Sequence, residues 1–201
     1  MRSMEEMAHG PVPGVAEHPS LALVGSAGLL PGGKEFDELA TSESATAWLT
    51  SRDLVAEGTE LYDHCRNRLV RFRGAVRELM VARVEDVAPA AESIRVLNEA
   101  LTSAPGVLRL HFDPSSGFAR IAEHPATQVV EHVMALVAED AAALLTGEEA
   151  SMLALCGADS CVRIFLRTHA RRQWCSTRCG DRMRAARAYA RKRAALGRQS
   201  P

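Results

Sequence analysis

Aromatic side chains are scarce in this sequence: they make up 4% of its 201 residues, although hydrophobic residues make up 47%. A core built from it must therefore be aliphatic and rich in alanine. No apolar run approaches the roughly 20 residues that a membrane-spanning helix needs. The first residues, 1–20, include Glu5, Glu6, prolines and glycines but no hydrophobic signal region. We expect a disordered leader over residues 1–19 and a cytoplasmic protein with no membrane partner.

Motifs of common enzyme classes are also missing. The sequence contains no phosphate-binding glycine loop, no nucleophile elbow and no His-Glu-x-x-His pattern. His111, His124 and His132 do not form a cluster with ligand spacing, and we interpret them as surface or core histidines. The sequence therefore predicts a protein that is not an enzyme.

Acidic residues are nearly absent from the C-terminal region. Residues 156–201 contain 12 Arg and Lys but only Asp159 and Asp181, a net charge of +10; because the whole chain is at −1, residues 1–155 carry −11. A helical pattern is also interrupted at Gly147, so we place a domain boundary near residue 150. Such a basic region indicates a polyanionic partner, most plausibly nucleic acid.

Four cysteines lie in two close pairs within that basic region. Four residues separate Cys156 from Cys161, and three separate Cys175 from Cys179. Four thiolates complete the tetrahedral shell of a structural zinc ion and leave no open position for a substrate. The first pair spans small, turn-forming residues, and Ser176 and Thr177 are N-cap candidates for a helix that would carry Cys179. We predict that the four cysteines bind Zn²⁺.

Disulfides and reactive thiols are the alternatives to zinc. Nothing in the sequence marks export, and disulfides are rare in the cytosol. A redox dithiol more often shows a Cys-x-x-Cys motif beside a βαβ pattern. His169 lies between the two pairs and is an alternative ligand. The fifth cysteine, Cys65, lies on a helical apolar stripe, and we interpret it as a buried core thiol.

Apolar periodicity upstream of the cysteines predicts helices. They are a short segment with Trp48 and Leu49 that ends at Gly58, a long helix over about 60–83, one with Leu97 that stops at Pro105, and one that starts near Pro125. Residues 107–121 predict a β-hairpin with its turn at 113–117. The arginines of the long helix alternate with acids, which indicates a solvated face.

A last helix, about 176–197, is expected to contact nucleic acid. The predicted contacts comprise two arginines shortly before Trp174 and six cations of the helix: Arg171, Arg172, Arg182, Arg184, Arg187, Arg191, Lys192 and Arg193. Alanines between the cations favour a slim helix that suits a groove. With about six phosphates neutralised, log K should fall with log salt at a slope of roughly −5. Docking on an acidic protein surface is the alternative, and Trp174 is expected to pack beside Phe165 in a small core.

The C-terminal region resembles the CGNR zinc-finger family. The resemblance is carried by Cys156-Gly-Ala-Asp-Ser-Cys161, Ile164-Phe-Leu166, Arg171-Arg-Gln-Trp-Cys-Ser176 and Cys179-Gly-Asp-Arg182. Upstream, Leu21-Ala-Leu23, Trp48-Leu49, the long helix and Leu97-Asn98 are similar in order to the ABATE domain that precedes this finger. The resemblance spans residues 20–195 and implies a bacterial transcription regulator, often described as stress-induced, with the four cysteines as ligands. Asp181 replaces the asparagine of the family motif, and Arg167 stands where the family usually has aspartate.

We therefore expect a mainly α fold of two parts. Residues 20–150 would form a helical domain with one β-hairpin, and residues 151–197 a treble-clef-like or knuckle-type four-cysteine finger with a basic C-terminal helix, followed by a tail, 198–201. The expected function is transcription regulation through DNA binding by the finger. The alternative is a zinc-stabilised interaction module whose basic helix docks on an acidic partner or on its own N-terminal domain. That domain is expected to sense a small-molecule effector or to mediate homodimerisation.

Overall fold

Helices make up most of the fold, as the sequence predicts. The structure, a computed structural model, describes residues 11–29, 33–103, 108–122 and 129–197. In chain order its elements are α1 (Pro19–Gly25), β1 (Ala27–Leu29), β2 (Glu35–Asp37), α2 (Ser42–Thr50), α3 (Asp63–Glu85), α4 (Ala91–Ser103), β3 (Leu108–Asp113), β4 (Gly117–Ala122), α5 (Val129–Thr146), a 3₁₀ helix (Glu148–Met152), β5 (Leu153–Leu155), β6 (Ile164–Leu166) and α6 (Thr177–Gly197). The strands pair in sequence as three antiparallel two-stranded sheets.

Local sequence signals explain where two of the helices begin or end. Thr41 and Ser44 form a reciprocal capping box at the start of α2, in which each hydroxyl accepts a hydrogen bond from the other residue's N–H. The long helix α3 ends at Asp86, whose φ of 54° lies in the left-handed region. The predicted long helix is therefore confirmed. Pro125, near which the sequence predicts that α5 starts, lies outside the described residues.

The predicted β-hairpin is present as β3 and β4. Residues Phe112 and Phe118 face each other across it, with ring centroids 4.9 Å apart. Both rings are exposed, as is the side chain of Leu110. In the turn, hydrogen bonds from the hydroxyl and N–H of Ser115, with others from Ser116, lower the pKa of Asp113 to about 2. The hairpin thus has a well-defined turn and an exposed apolar face.

A large aliphatic core lies between α1, α2, α3, α4 and α5. It consists mainly of leucine, valine and alanine, and Trp48 and Phe72 are its aromatic members among the described residues. The helix α3 contributes a row of buried side chains that includes Leu69, Phe72 and Val76. Cys65 lies at the edge of this core and is half-buried rather than fully buried. None of the described helices is long and apolar enough to span a membrane, and the cytoplasmic location stays a prediction.

One arginine of α3 does not lie on a solvated face, contrary to the expectation for that helix. Arg73 is 9% exposed and donates two hydrogen bonds of 2.7 Å to the carboxylate of Asp37 and one of 3.0 Å to the hydroxyl of Ser26. Burial raises the pKa of Asp37, but the hydrogen bond and charge of Arg73 outweigh it and hold this pKa below its usual value. The pair ties the β1–β2 hairpin to α3.

The β5–β6 sheet separates the large core from a smaller one. Successive side chains of a strand point to opposite faces, and here both faces are covered. On one face, Leu153, Leu155, Ile164 and Leu166 pack into the large core. On the other face, Ala154 and Phe165 belong to a second cluster that also holds Cys156, Cys175 and Cys179. This sheet therefore joins the helical region to the cysteine-rich region.

Residues 11–18 lie against this second cluster, although we expected them to belong to a disordered leader. Val12 is 8% exposed and belongs to the cluster, and the C=O of Pro13 accepts a hydrogen bond of 3.1 Å from the N–H of Leu166. Gly14 has a φ of +88°, and a Cβ there would come within 2.8 Å of Leu21. Residues 1–10 of the expected leader lie outside the described residues.

Candidate metal centre and basic helix

The first cysteine pair lies on a tight turn that follows β5. The N–H of Cys156 donates to the C=O of Arg163 at 2.9 Å, and the N–H of Cys161 donates to the C=O of Ala158 at 3.0 Å. Ser160 closes the turn with a left-handed φ of 61°. These bonds direct both thiols to the same side of the turn, as the small residues between them predict.

The second pair lies at the start of α6. The hydroxyl of Ser176 accepts a hydrogen bond of 3.3 Å from the N–H of Cys179, so Ser176 is the N-cap that the sequence predicts. Cys175 precedes the helix and Cys179 lies one turn further on, so both thiols meet at its N-terminal end. The N–H of Cys175 also donates to Sγ of Cys156 at 3.4 Å, which connects the two pairs.

The four sulfur atoms have the spacing of a tetrahedral metal site. The Sγ atoms of Cys156, Cys161, Cys175 and Cys179 all lie within 4.8 Å of one another. The distance is 3.8 Å from Cys161 to Cys175 and 3.6 Å from Cys175 to Cys179. Four sulfurs at 2.3 Å from a central zinc ion would lie about 3.8 Å apart. The four cysteines therefore fit Zn²⁺, and they form no disulfide with one another.

The ionisation of the cysteines also favours a cation. Hydrogen bonds from the thiols of Cys161 and Cys175 lower the pKa of Cys156 to about 6. The pKa values of Cys161 and Cys175 are raised, first of all by the hydrogen bonds that they share with Cys156. Without a cation, one thiolate therefore suppresses the ionisation of its neighbours. A divalent ion at the centre removes that conflict, because thiolates that coordinate a metal ion are held deprotonated.

The alternative ligand His169 and the fifth cysteine lie outside this centre. His169 is exposed on the loop between the pairs and is not part of the sulfur cluster. Cys65 lies on α3, where its Sγ is 3.2 Å from Nε2 of His64. The site is therefore built from four thiols alone.

A small apolar core supports the metal centre. Phe165 is fully buried and Trp174 packs against the same cluster, as expected. Gly180 brings α6 close to this indole: a Cβ at that position would lie 3.1 Å from the Trp174 ring. The guanidinium groups of Arg184 and Arg187 lie 5.8 and 6.0 Å from the centre of the same ring. Trp174 thus lies between the finger core and two arginines of the helix.

Two of the predicted nucleic-acid contacts brace the finger itself. Arg172 donates from Nε to the C=O of Trp174 at 3.0 Å and from Nη2 to the C=O of Cys175 at 3.1 Å. Arg182 donates to the C=O of Asp159 at 3.3 Å and approaches Sγ of Cys179 at 3.6 Å. Hydrogen bonds from these arginines hold the loop and helix around the cysteines.

The remaining predicted contacts are exposed. They are Arg171 before the second cysteine pair, and Arg184, Arg187, Arg191, Lys192 and Arg193 on α6. Every residue from 184 to 195 is exposed, so this part of α6 extends beyond the finger. Arg184 forms an ion pair of 2.6 Å with Asp181, the residue that replaces the family asparagine. Five of these six cations therefore lie on one helix, and their contact with DNA stays a prediction.

Two arginines outside the predicted set connect the finger to the helical region. Arg77 on α3 donates to the C=O of Val162 at 2.6 Å, and burial lowers the pKa of this arginine. The side chain of Arg163 is buried and lies 6.0 Å from the ring centre of Phe36. Neither contact has a local sequence signal, because each joins residues more than 80 positions apart in the chain.

Two family models match the chain. One is ABATE, described as "Putative stress-induced transcription regulator", over residues 17–148, and the other is the CGNR zinc finger, over residues 152–192. They follow one another in the order that the sequence predicts. Neither description names an enzyme. No curated protein matches the chain at a significant level.

Proposed function

The chain belongs to the ABATE family and carries a CGNR zinc finger, and we propose that it regulates transcription by binding DNA through this finger and α6. In this proposal Cys156, Cys161, Cys175 and Cys179 are the ligands of one structural Zn²⁺. Four thiolates leave no open coordination position, so the ion stabilises the finger and takes no part in catalysis.

The exposed end of α6 is the observation that carries the proposal. The helix, residues 177–197, has seven Arg and Lys but only one acid, Asp181. All described side chains from 184 to 195 are exposed, and this segment is about 18 Å long at 1.5 Å per residue. A helix segment that is exposed on all sides gains no stability from packing against the rest of the protein. A polyanion that neutralises its charges is the partner that fits it.

The cations of α6 are not evenly distributed around the helix. Arg184, Arg187 and Arg191 are spaced by three and four residues, so they form a stripe on one face, which we call the arginine stripe. The Trp174 ring lies beneath the first two of them. Arg171 is exposed on the adjacent loop. We propose that the arginine stripe and Arg171 contact the DNA phosphates and groove edges, and that Lys192 and Arg193, which lie on other faces of the helix, contact phosphates at its sides.

Zinc has an indirect part in this mechanism. The ion would hold the turn at Cys156 and the start of α6 together, and Arg172 and Arg182 would fix the loop around them through the hydrogen bonds described above. These contacts set the direction in which α6 leaves the finger. A helix held in one orientation loses less conformational freedom on binding than a free basic peptide.

A titration of labelled duplex DNA with the zinc-loaded protein tests the proposal. Affinity should fall with salt at a slope of roughly −5 in a plot of log K against log salt, because about six phosphates are neutralised. Replacing Arg184, Arg187 and Arg191 together by Ala should reduce the slope by about 2.7, since each lost phosphate contact contributes about 0.9. The matched control replaces Arg68, Arg71 and Arg83, exposed cations of α3, and should bind as the wild type does. Salt-independent binding, or equal losses in both triple variants, would refute DNA binding through α6.

Docking of α6 on an acidic protein is the second candidate. The described part of the acidic N-terminal region does not cover the helix, because residues 184–195 are exposed. This candidate therefore requires a second molecule, and the exposed Tyr189 among the arginines favours it, since such a ring suits a protein interface. A zinc-loaded protein that binds no DNA but binds an acidic protein would support it. Homodimerisation stays a prediction.

A further inference from the structure

A cleft lies between the N-terminal segment, the 3₁₀ helix and the finger. It has a volume of about 920 Å³, within the range of about 300–1,000 Å³ that is typical of small-molecule sites. Its lining combines residues of the segment 11–18 and Glu149 with a finger wall of Leu166, Arg167, Thr168, Arg172, Ser176 and Thr177. A ligand in this cleft would contact the helical region and the finger at once.

Two arginines in the cleft have no carboxylate partner among the described residues. The buried Nε of Arg167 has no hydrogen-bond partner at all. Arg172 uses its guanidinium on the carbonyl groups of Trp174 and Cys175 and on the hydroxyl of Thr168, at 3.4 Å. Carbonyl oxygens satisfy donors but do not neutralise the charge. The finger residues of the cleft therefore carry two positive charges that form no ion pair with a carboxylate among the described residues.

Hydroxyl groups accompany these arginines. Thr168 accepts from Arg172, so its own proton is available to a further acceptor. The exposed Thr177 lies in the same wall. Ser176 also lines the cleft, but its oxygen already caps α6. Guanidinium and hydroxyl donors on one wall are the groups that bind carboxylates and phosphates.

The cleft lining also includes acidic side chains. They are Glu17 and Glu149, and beside them His18 is hydrogen-bonded to Asp140 at 2.9 Å and lies 3.5 Å from Glu149. Among the described residues, no ion pair joins Glu17 or Glu149 to Arg167 or Arg172. Cationic and anionic groups that are not paired with each other therefore line the same cleft, which suits a ligand with an anionic group.

We propose that this cleft binds a small molecule through an oxyanion, either a carboxylate or a phosphate, that is held by Arg167, Arg172 and the hydroxyls of Thr168 and Thr177. The neutral or cationic remainder of the ligand faces Glu17 and Glu149. This binding is separate from the proposed contact with DNA, because the arginine stripe lies on α6 and does not line the cleft.

The test uses the zinc-loaded full chain in a Trp48→Phe background, so that Trp174 alone reports fluorescence. The probes are inorganic phosphate and, separately, acetate, each at constant ionic strength with chloride. We expect saturable quenching or enhancement with at least one anion, confirmed by calorimetry. Arg167→Ala should weaken binding about tenfold, as for a lost charge-assisted contact. Arg191→Ala, on the arginine stripe, should change it by less than about twofold. The probe that binds more tightly identifies the carboxylate or phosphate class.

Three results would overturn the proposal: no saturation with either anion, unchanged affinity in Arg167→Ala, or an equal loss in Arg191→Ala. Zinc content and circular dichroism of each variant report its fold. If Arg167→Ala loses zinc, Thr168→Val and Glu149→Gln decide the question. The first should weaken binding about threefold through a lost hydrogen bond, and the second should tighten it because a like charge is removed. Unchanged affinity in both variants would also overturn the proposal.

Discussion

The helical region and the finger are stabilised by different interactions. The core of the helical region contains many buried leucines and valines together with Trp48 and Phe72. The finger cluster has seven buried residues, and three of them are cysteines. Full burial of a leucine or phenylalanine contributes about 1.5–3 kcal/mol, so the finger gains little from its apolar side chains. The stability of one region should therefore follow packing, and that of the other should follow metal binding.

The two regions nevertheless share the β5–β6 sheet. Its leucines and isoleucine pack into the large core, whereas Phe165 and Ala154 face the cysteines. Arg77 adds a hydrogen bond from α3 to the C=O of Val162. Loss of the metal should thus disrupt the turn, the loop and α6 but leave the sheet packed on the helices. Unfolding of the helices should instead remove the surface on which the β5–β6 sheet packs, and so destabilise the finger as well as the helical region.

Removal of the metal should have the largest effect. Cys175→Ser takes away one of four ligands, and structural zinc contributes on the order of 10 kcal/mol to small domains of this kind. We expect loss of zinc, of the fluorescence signature of Trp174 and of part of the α6 helicity, with the helical region still folded. Zinc content, fluorescence and circular dichroism measure these changes.

Cys65→Ser is the matched control for this experiment. Cys65 is half-buried at the edge of the large core and lies outside the sulfur cluster. The variant should keep its zinc and its Trp174 signal. A finger that stays ordered in Cys175→Ser after zinc is lost would show that packing, rather than metal, holds it.

Truncation of the large core should have the next largest effect. Phe72 on α3 is 2% exposed and is one of the largest fully buried side chains. Phe72→Ala should lower the free energy of unfolding by about 3–5 kcal/mol, through lost transfer energy and the cavity left behind. Urea unfolding followed by circular dichroism measures the change. At low urea the variant should hold zinc as the wild type does, and early zinc release would show that the two regions are more tightly coupled than we infer.

The buried ion pair should contribute less. Asp37→Asn leaves the charge of Arg73 without its carboxylate. We expect the free energy of unfolding to fall by about 2–3 kcal/mol. This is at or below the lower end of the range for buried ion pairs, because the Asp37 side chain is 31% exposed. The pKa of Asp37 is lowered in the folded protein. Its contribution is therefore fully present above the unfolded value of 3.8 and is lost as the pH falls through the folded value.

Measuring the free energy of unfolding at pH 7 and at about pH 3 separates the contribution of this pair from the loss of stability that acid causes in the protein as a whole. The difference between wild type and Asp37→Asn should shrink at the lower pH. Glu92→Gln is the control, since Glu92 pairs with Arg71 at 3.4 Å on the exposed surface, and its stability should be unchanged at neutral pH. A difference between wild type and Asp37→Asn that is independent of pH would contradict the assignment of this pKa.

The features that follow from local sequence were predictable. Each cysteine pair lies within one turn of chain, so spacing alone brings the two thiols of a pair together, and Ser176 caps the helix that follows. The long helix and the hairpin likewise follow from periodicity and turn residues. These elements depend on neighbours within a few positions. The sequence therefore predicted the cofactor and the mainly α class.

The features that depend on distant residues were not predictable. Arg73 looked like its exposed neighbours because its partner Asp37 lies 36 residues away. Val12 looked like part of a proline- and glycine-rich leader, and its burial depends on the finger. The DNA contact of Arg172 stays a prediction, but the carbonyl groups that its guanidinium meets are presented only by the folded loop, so sequence could not indicate them. Composition indicates which residues are charged but does not indicate what they face.

The smallest expected effect on stability comes from Asp181, at the position where the family motif has asparagine. Asp181 forms an ion pair of 2.6 Å with Arg184, and both side chains are more than half exposed. Such surface pairs contribute about 0–1 kcal/mol, so Asp181→Asn should barely change the unfolding transition. DNA affinity should increase about threefold, because the only acid of α6 is removed and Arg184 is released to the arginine stripe. A titration of Asp181→Asn against wild type at one salt concentration measures this, with Glu92→Gln, which removes an exposed acid of α4, as the control. Unchanged affinity in Asp181→Asn would place the DNA contact further along α6, at Arg191 to Arg193.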